Sequence, residues 1–284
     1  MLAVVAISLT ACEEEIMDDR TVKPSSIAVA PAVASRMRAD LATVANARVY
    51  FGHQSVGANI LDGLRELSAV APAPKLAIIG TRNVGSIAAP ALVEFAIGEN
   101  GDPMSKARDF AAALDNSRGN AAAIALFKYC YLDLTPHTDV AELFSAHRDG
   151  VRALQGRHPE ITFVHVTAPL TTVETGPKLL LKRLLGKPSS RDANRKRNEF
   201  NDRVRREFQG EPIFDLARIE STRPDGSRAF FVTGGDTVYT LAPELTDDGG
   251  HLNAAGRRAA AIELVSVLAA AASSPARGDR NARR

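Results

Sequence analysis

The chain has 284 residues, 45% hydrophobic and 24% charged, enough apolar material for one large core and a composition that argues against a disordered or fibrous protein. A formal net charge of +2 is close to balance and gives no footprint for nucleic acid, which is not an expected partner. Trp is absent and Ala and Arg are frequent, and no function follows from either.

In chain order, the run LAVVAISLTAC is apolar and shorter than the roughly 20 residues a membrane span needs. Residues 1–12 read as an export signal whose Leu9-Thr10-Ala11-Cys12 end resembles the lipobox of bacterial lipoproteins, although no positive charge precedes it. The plain alternative is a hydrophobic N-terminus with an incidental cysteine. On the lipoprotein reading the protein is exported, periplasmic or anchored to the outer membrane of a bacterium, with the membrane as a partner through a lipid on Cys12. Cys130 then has no intrachain disulfide partner, and in the apolar run AAIALFKYCYLDL it reads as a small core residue. Residues 13–35, acidic and then rich in Ala, Pro and Ser, read as a flexible tether. The folded domain is expected over 36–272, with a disordered tail over 273–284.

Within the domain, ARVYFG, KLAIIG, AAIALFKYCYL, ITFVHVTA and PIFDL read as buried strands bounded by turn residues. Apolar residues at helical spacing predict helices over 56–70, 106–114, 139–156, 190–208 and 253–272, with Ser190 as an N-cap. Strands apolar on both faces and separated by helices imply a mostly parallel sheet covered on two sides, a three-layer α/β/α sandwich of flavodoxin-like type. In such sheets the functional crevice lies at the carboxyl ends of the strands.

One strand-to-helix junction, YFGHQSVGANILDGL, places Ser55 on a turn between Gly52 and Gly57. A serine there has an exposed hydroxyl beside a helix N-terminus, where developing negative charge is stabilised. The two glycines read as permitting the turn and a close backbone approach, with His53 and Gln54 lining the approach. An ordinary N-cap serine is the plain alternative. Near the other end, LTDDGGHLNAAGRRAAAIELV sets Asp248 and His251 three residues apart in a glycine-bearing loop before the last helix. A serine nucleophile needs a base, and the base needs an orienting carboxylate.

The order Ser, then Asp, then His three residues on, with nearly the whole domain between, resembles the SGNH/GDSL hydrolase superfamily. That resemblance implies Ser55 as nucleophile, His251 as general base and Asp248 as the group that holds the imidazole. The sequence departs from the family in two places. The G-D-S triplet is His53-Gln54-Ser55 here, and the G-x-N-D segment that supplies the family's oxyanion asparagine is FKYCYLDL, with Lys128, Tyr131 and Asp133 but no Asn. The loop IGENGDPMSK is the substitute candidate: Gly98 or Gly101 as the oxyanion glycine and Asn100 as the side-chain amide, against the alternative of a plain turn. Lys128 and Asp133 are expected to form a buried ion pair that shapes the site.

A metal held by His53 and His251 is not expected, since zinc takes at least three protein ligands, and no cofactor is required. Asp215, Arg218, Thr167 and Pro169 stand at other strand ends and are candidates for crevice lining. The basic amphipathic stretch over 179–190 reads as a lid, a membrane-facing helix or a surface helix. The expected function is an exported serine ester hydrolase acting through an acyl-enzyme on a small-molecule or glycan ester. The alternatives are a non-catalytic glycan-binding or envelope-assembly lipoprotein with the same fold, and an O-acyltransferase that uses the same residues.

Overall fold

The computed structural model describes residues 31–70, 75–117, 122–174, 184–185 and 189–273. The expected signal, Cys12, most of the tether, most of the 179–190 stretch and the tail beyond 273 lie outside these residues. The elements are α1 (Pro31–Ala45), β1 (Arg48–His53), α2 (Ser55–Val70), β2 (Ile78–Gly80), β3 (Ala91–Ala96), α3 (Pro103–Asp115), β4 (Ile124–Phe127), α4 (Val140–Arg157), β5 (Thr162–Val166), α5 (Ser190–Glu207), β6 (Ile213–Phe214), α6 (Leu216–Ser221), β7 (Phe230–Thr233), β8 (Asp236–Tyr239) and α7 (Ala254–Ser273). No helix among the described residues is long and apolar enough to cross a membrane.

Strands β1 to β6 form one parallel sheet in the order β2-β3-β1-β4-β5-β6. Alternate side chains of each strand enter opposite cores. Val49, Phe51, Ile124, Leu126, Val164 and Val166 pack with α1, α2 and α7 on one face. Tyr50, Val93, Phe95, Ala125, Phe127 and Phe163 pack with α3, α4 and α5 on the other. Both faces are buried, which is why these strands read as continuous apolar runs and not as alternating ones. The fold is the three-layer α/β/α sandwich that the sequence implies, with Ser55 just after the first strand and Asp248 and His251 in the loop before the last helix. β1 lies between β3 and β4, so the loops at the carboxyl ends of those three strands share one edge of the sheet.

Several local expectations are corrected. β3, ALVEFA, was not among the predicted strands; Glu94 interrupts its apolar run, and its carboxylate is satisfied by a histidine. The strand expected over AAIALFKYCYL ends at Phe127, because the Cys130 N–H donates to Asp133 and closes a short 3-10 turn over Tyr131–Asp133. Ser189, not Ser190, caps α5, exchanging hydrogen bonds with Asp192 in a capping box. Helix α1 begins at Pro31, inside the stretch read as tether. The hairpin β7–β8 turns on Gly234 and Gly235, both at positive φ, the backbone that such tight turns demand.

Candidate active site

Ser55 opens α2 two residues beyond the end of β1, with Gln54 between them. Among the described residues neither its N–H nor its hydroxyl has a hydrogen-bond partner, so both stand free at the positive end of the helix. The flanking glycines are needed for space, which corrects the reading of them as turn formers: neither has positive φ. A Cβ on Gly52 would lie 2.8 Å from Phe110 Cδ2 and 3.0 Å from Ile97 Cγ2, and one on Gly57 would lie 2.4 Å from His53 Cβ and Cγ.

His53 does not line the approach to Ser55. Its ring is buried under the first turn of α2, with Nε2 3.0 Å from Glu94 Oε2 and Nδ1 3.3 Å from the Gln54 carbonyl. Burial pushes its pKa down, with the Gln54 carbonyl and Glu94 acting in the opposite direction. Gln54 is a tether, its amide donating to the carbonyls of Ile97 (2.8 Å) and Gly98 (2.9 Å) and so joining the Ser55 turn to the loop after β3.

That loop holds the expected oxyanion groups, and the two glycines are unsuited to the role. The Gly98 N–H donates to Asp109 Oδ2 and the Gly101 N–H to Asp133 Oδ1, both at 2.8 Å. Both glycines have positive φ, and their N–H groups hold the loop's shape. Asn100 differs: its Oδ1 accepts from Lys106 Nζ at 3.0 Å, while its Nδ2 has no partner among the described residues. The expected Lys128–Asp133 pair is also corrected. Asp133 pairs with Lys106 on α3, Nζ lying 2.6 Å from both carboxylate oxygens with both side chains fully buried. Lys128 Nζ donates to the Tyr129 carbonyl, and burial pushes its pKa down to about 8.

The D-D-G-G-H loop forms a closed unit. Asp248 Oδ1 accepts from the N–H groups of Gly250 (2.8 Å) and His251 (2.7 Å), and Oδ2 lies 2.6 Å from His251 Nδ1. These bonds, that from the His251 N–H foremost, hold the carboxyl well below the usual carboxylate range, so it is ionised at neutral pH. An ionised carboxylate only accepts, so Nδ1 carries the proton and Nε2 presents its lone pair. Gly249 at φ +87° turns the loop against Thr172, whose N–H donates to the Gly249 carbonyl. The Tyr131 ring packs edge-on against the imidazole at 5.8 Å, and a Cβ on Gly250 would come 3.1 Å from that ring.

Asn59 brings the loop to the serine: its Oδ1 accepts from the Leu252 N–H at 3.2 Å. Asn59 stands one helical turn after Ser55 on the same face of α2, so the histidine loop lies beside the serine's helix face. No hydrogen bond joins Ser55 Oγ to His251 Nε2 among the described residues, and catalytic contacts in unliganded sites are often long and tighten with substrate. A cleft of about 640 Å³ opens beside the loop, lined by Tyr131, Thr171, Thr172, Glu174, Asp248 and Gly249. Arg197 forms part of it, its guanidinium donating to the Tyr131 carbonyl and to Thr171 Oγ1. A larger charged groove, about 790 Å³ between α5 and β8, holds none of the predicted residues.

Thr167 and Asp215 are corrected as lining: Thr167 is buried and donates to Asp215, which caps α6 and is held by Arg205. Sequence reasoning missed Asn59, Lys106 and Arg197. Asn59 carried a signal, its i+4 spacing from Ser55, and so did Lys106, which shares the buried stripe of α3 with Phe110 and Leu114.

No protein-family model matches the chain, and no curated protein does. Solved structures similar to it include a Streptococcus pneumonia protein provisionally described as a platelet activating factor, at 14% identity and TM-score 0.45, covering 84% of this chain and 91% of that one. A protein of the G-D-S-L family from Desulfitobacterium hafniense, provisionally described as lipolytic, is similar at 10% identity and TM-score 0.42, covering 78% and 99%. A possible lipase from Chitinophaga pinensis is similar at 13% identity and TM-score 0.39, covering 78% and 95%. Likenesses this distant assign no residue a role, and the chemistry rests on the side chains themselves.

Proposed function

We propose that the protein is a serine ester hydrolase of the SGNH/GDSL type. The observation that carries this reading is the Asp248–His251 unit, whose geometry holds the ring proton on Nδ1 and which Asn59 ties to the helix that Ser55 opens. In the reaction Ser55 Oγ attacks the ester carbonyl as its proton passes to His251 Nε2, and the carbonyl oxygen becomes an oxyanion. The free Ser55 N–H and the Asn100 amide are the donors for that charge, in place of Gly98 and Gly101. Collapse breaks the ester C–O bond, the alcohol leaves with the proton from His251, and water releases the acid by the same route.

The polar cleft with Glu174, Asp248 and two threonines at its surface favours an O-acetyl or other short acyl group on a sugar-like alcohol over a long apolar chain. Export and a lipid anchor at Cys12 belong to the same proposal, and an acyltransferase would differ only in its acceptor. One observation favours a binding protein that has lost catalysis: Ser55 Oγ makes no hydrogen bond to His251. Hydrolysis of p-nitrophenyl acetate by the full chain decides between them. Turnover that falls at least a hundredfold in Ser55→Ala and in His251→Ala supports the hydrolase, and turnover unchanged in both variants rejects it.

A further inference from the structure

We propose that Lys106 and Asp133 are positioning residues that aim the Asn100 amide at the reacting carbonyl, an inference that rests on the hydrolase reading above. An ammonium group only donates, so the Asn100 oxygen must face Lys106 Nζ and the Nδ2 hydrogens must face away, where no described residue takes them. The pair is completely buried, and a buried pair adds little stability over apolar side chains of the same volume. What distinguishes it is where its remaining hydrogen bonds go. Lys106 holds Asn100, and Asp133 takes the N–H groups of Gly101 and of Cys130. These belong to the loops after β3 and β4, the two strands that flank β1 and therefore the Ser55 turn. One buried charge pair thus clamps the loops on both sides of the serine, and among the described residues the one side-chain amide it holds, that of Asn100, has its donors free. The loop directly after β4 carries no asparagine, and the clamp gives Asn100, from the other flanking loop, a fixed orientation.

The test is a double-mutant cycle on p-nitrophenyl acetate hydrolysis with the full chain, reading kcat and KM separately. Asn100 is exposed, so its variants leave the core intact. Asn100→Asp keeps the acceptor for Lys106 and removes the donors; kcat falls by about 10²–10³, the usual loss for one oxyanion donor, with KM changed less than threefold. Lys106→Met keeps the stem and removes the ammonium; kcat falls at least tenfold in the wild-type background and less than twofold further in the Asn100→Ala background. An equal loss in both backgrounds means a structural role and overturns the proposal, as does wild-type kcat in Asn100→Asp. If Lys106→Met does not fold because it strands the Asp133 charge, Lys106→Met/Asp133→Asn removes both charges and is read in the same cycle. A wild-type chain without esterase activity marks failure of the hydrolase reading, whereas an active wild type with additive losses marks failure of the clamp alone.

Discussion

Replacing Gly57 by Ala should destabilise the protein and impair its serine, although the same change in an ordinary helix stabilises. Gly57 lies in the first turn of α2 without positive φ, so propensity alone would reward alanine by about 0.8–1 kcal/mol. The new Cβ would sit 2.4 Å from His53 Cβ and Cγ and 2.6 Å from Nδ1, where carbon atoms ordinarily rest about 3.5–4.0 Å apart. An overlap of about 1 Å cannot be absorbed by rotating His53, because its own Cβ is among the atoms struck. Either the ring leaves Glu94, a charge-assisted hydrogen bond worth about 1.5–3 kcal/mol, or α2 lifts off the sheet at overpacking costs of about 1–3 kcal/mol. Net of propensity, we expect a loss of about 1–2 kcal/mol in urea unfolding and a tenfold or greater slowing of ester hydrolysis, since Ser55 sits two residues away. Gly150→Ala in α4 is the matched control: a Cβ there meets nothing within 4 Å, and it should gain stability by up to about 1 kcal/mol. A Gly57→Ala protein as stable and as active as wild type would refute the packing argument.

Asp248→Asn should fold normally, since the Asp248 side chain is exposed, and should lose about 10²–10⁴ in kcat because the imidazole tautomer is no longer fixed; retained activity would remove Asp248 from the mechanism. Asn59→Ala should cost about 1 kcal/mol and lower kcat about tenfold by freeing the Leu252 N–H and the histidine loop, measured by thermal melting and steady-state kinetics. Buried Glu220 accepts from the Leu170 N–H through Oε2 while Oε1 has no partner among the described residues, and burial pushes its pKa up to about 8. A carboxyl raised in the folded state contributes stability that is full below about pH 4.5 and is lost as pH rises to about 8, at up to about 1.4 kcal/mol per pH unit. Glu220→Gln should therefore flatten the wild-type decline between those pH values in urea titrations; identical slopes would contradict the assignment.

The sheet and the outer helices were legible in the sequence because continuous apolar strands and 3.6-residue stripes both follow from two-sided burial. β3 was not, since Glu94 breaks its run and is compensated only in three dimensions by His53, forty-one residues earlier. At the site, the place of Ser55 at the start of α2 and the Asp248–His251 contact were legible because a strand-to-helix turn and a three-residue spacing are local patterns. The roles of Gly52, Gly57 and His53 were misread: the glycines make room for side chains that pack across elements, and no local rule reports that. Lys106 was hidden because a lysine on a helix is expected in solvent; its place on the stripe with Phe110 and Leu114 was the clue. Its pairing with Asp133, rather than Lys128 with Asp133, depends on α3 crossing over the 3-10 turn after β4.

The most direct test of the central claim is fluorophosphonate labelling of the full chain, with the modified peptide mapped by mass spectrometry. An activated Ser55 predicts a single adduct on Ser55, absent in Ser55→Ala and formed at least a hundredfold more slowly in His251→Ala. A folded wild type that takes no label, or that labels at another residue, would contradict it.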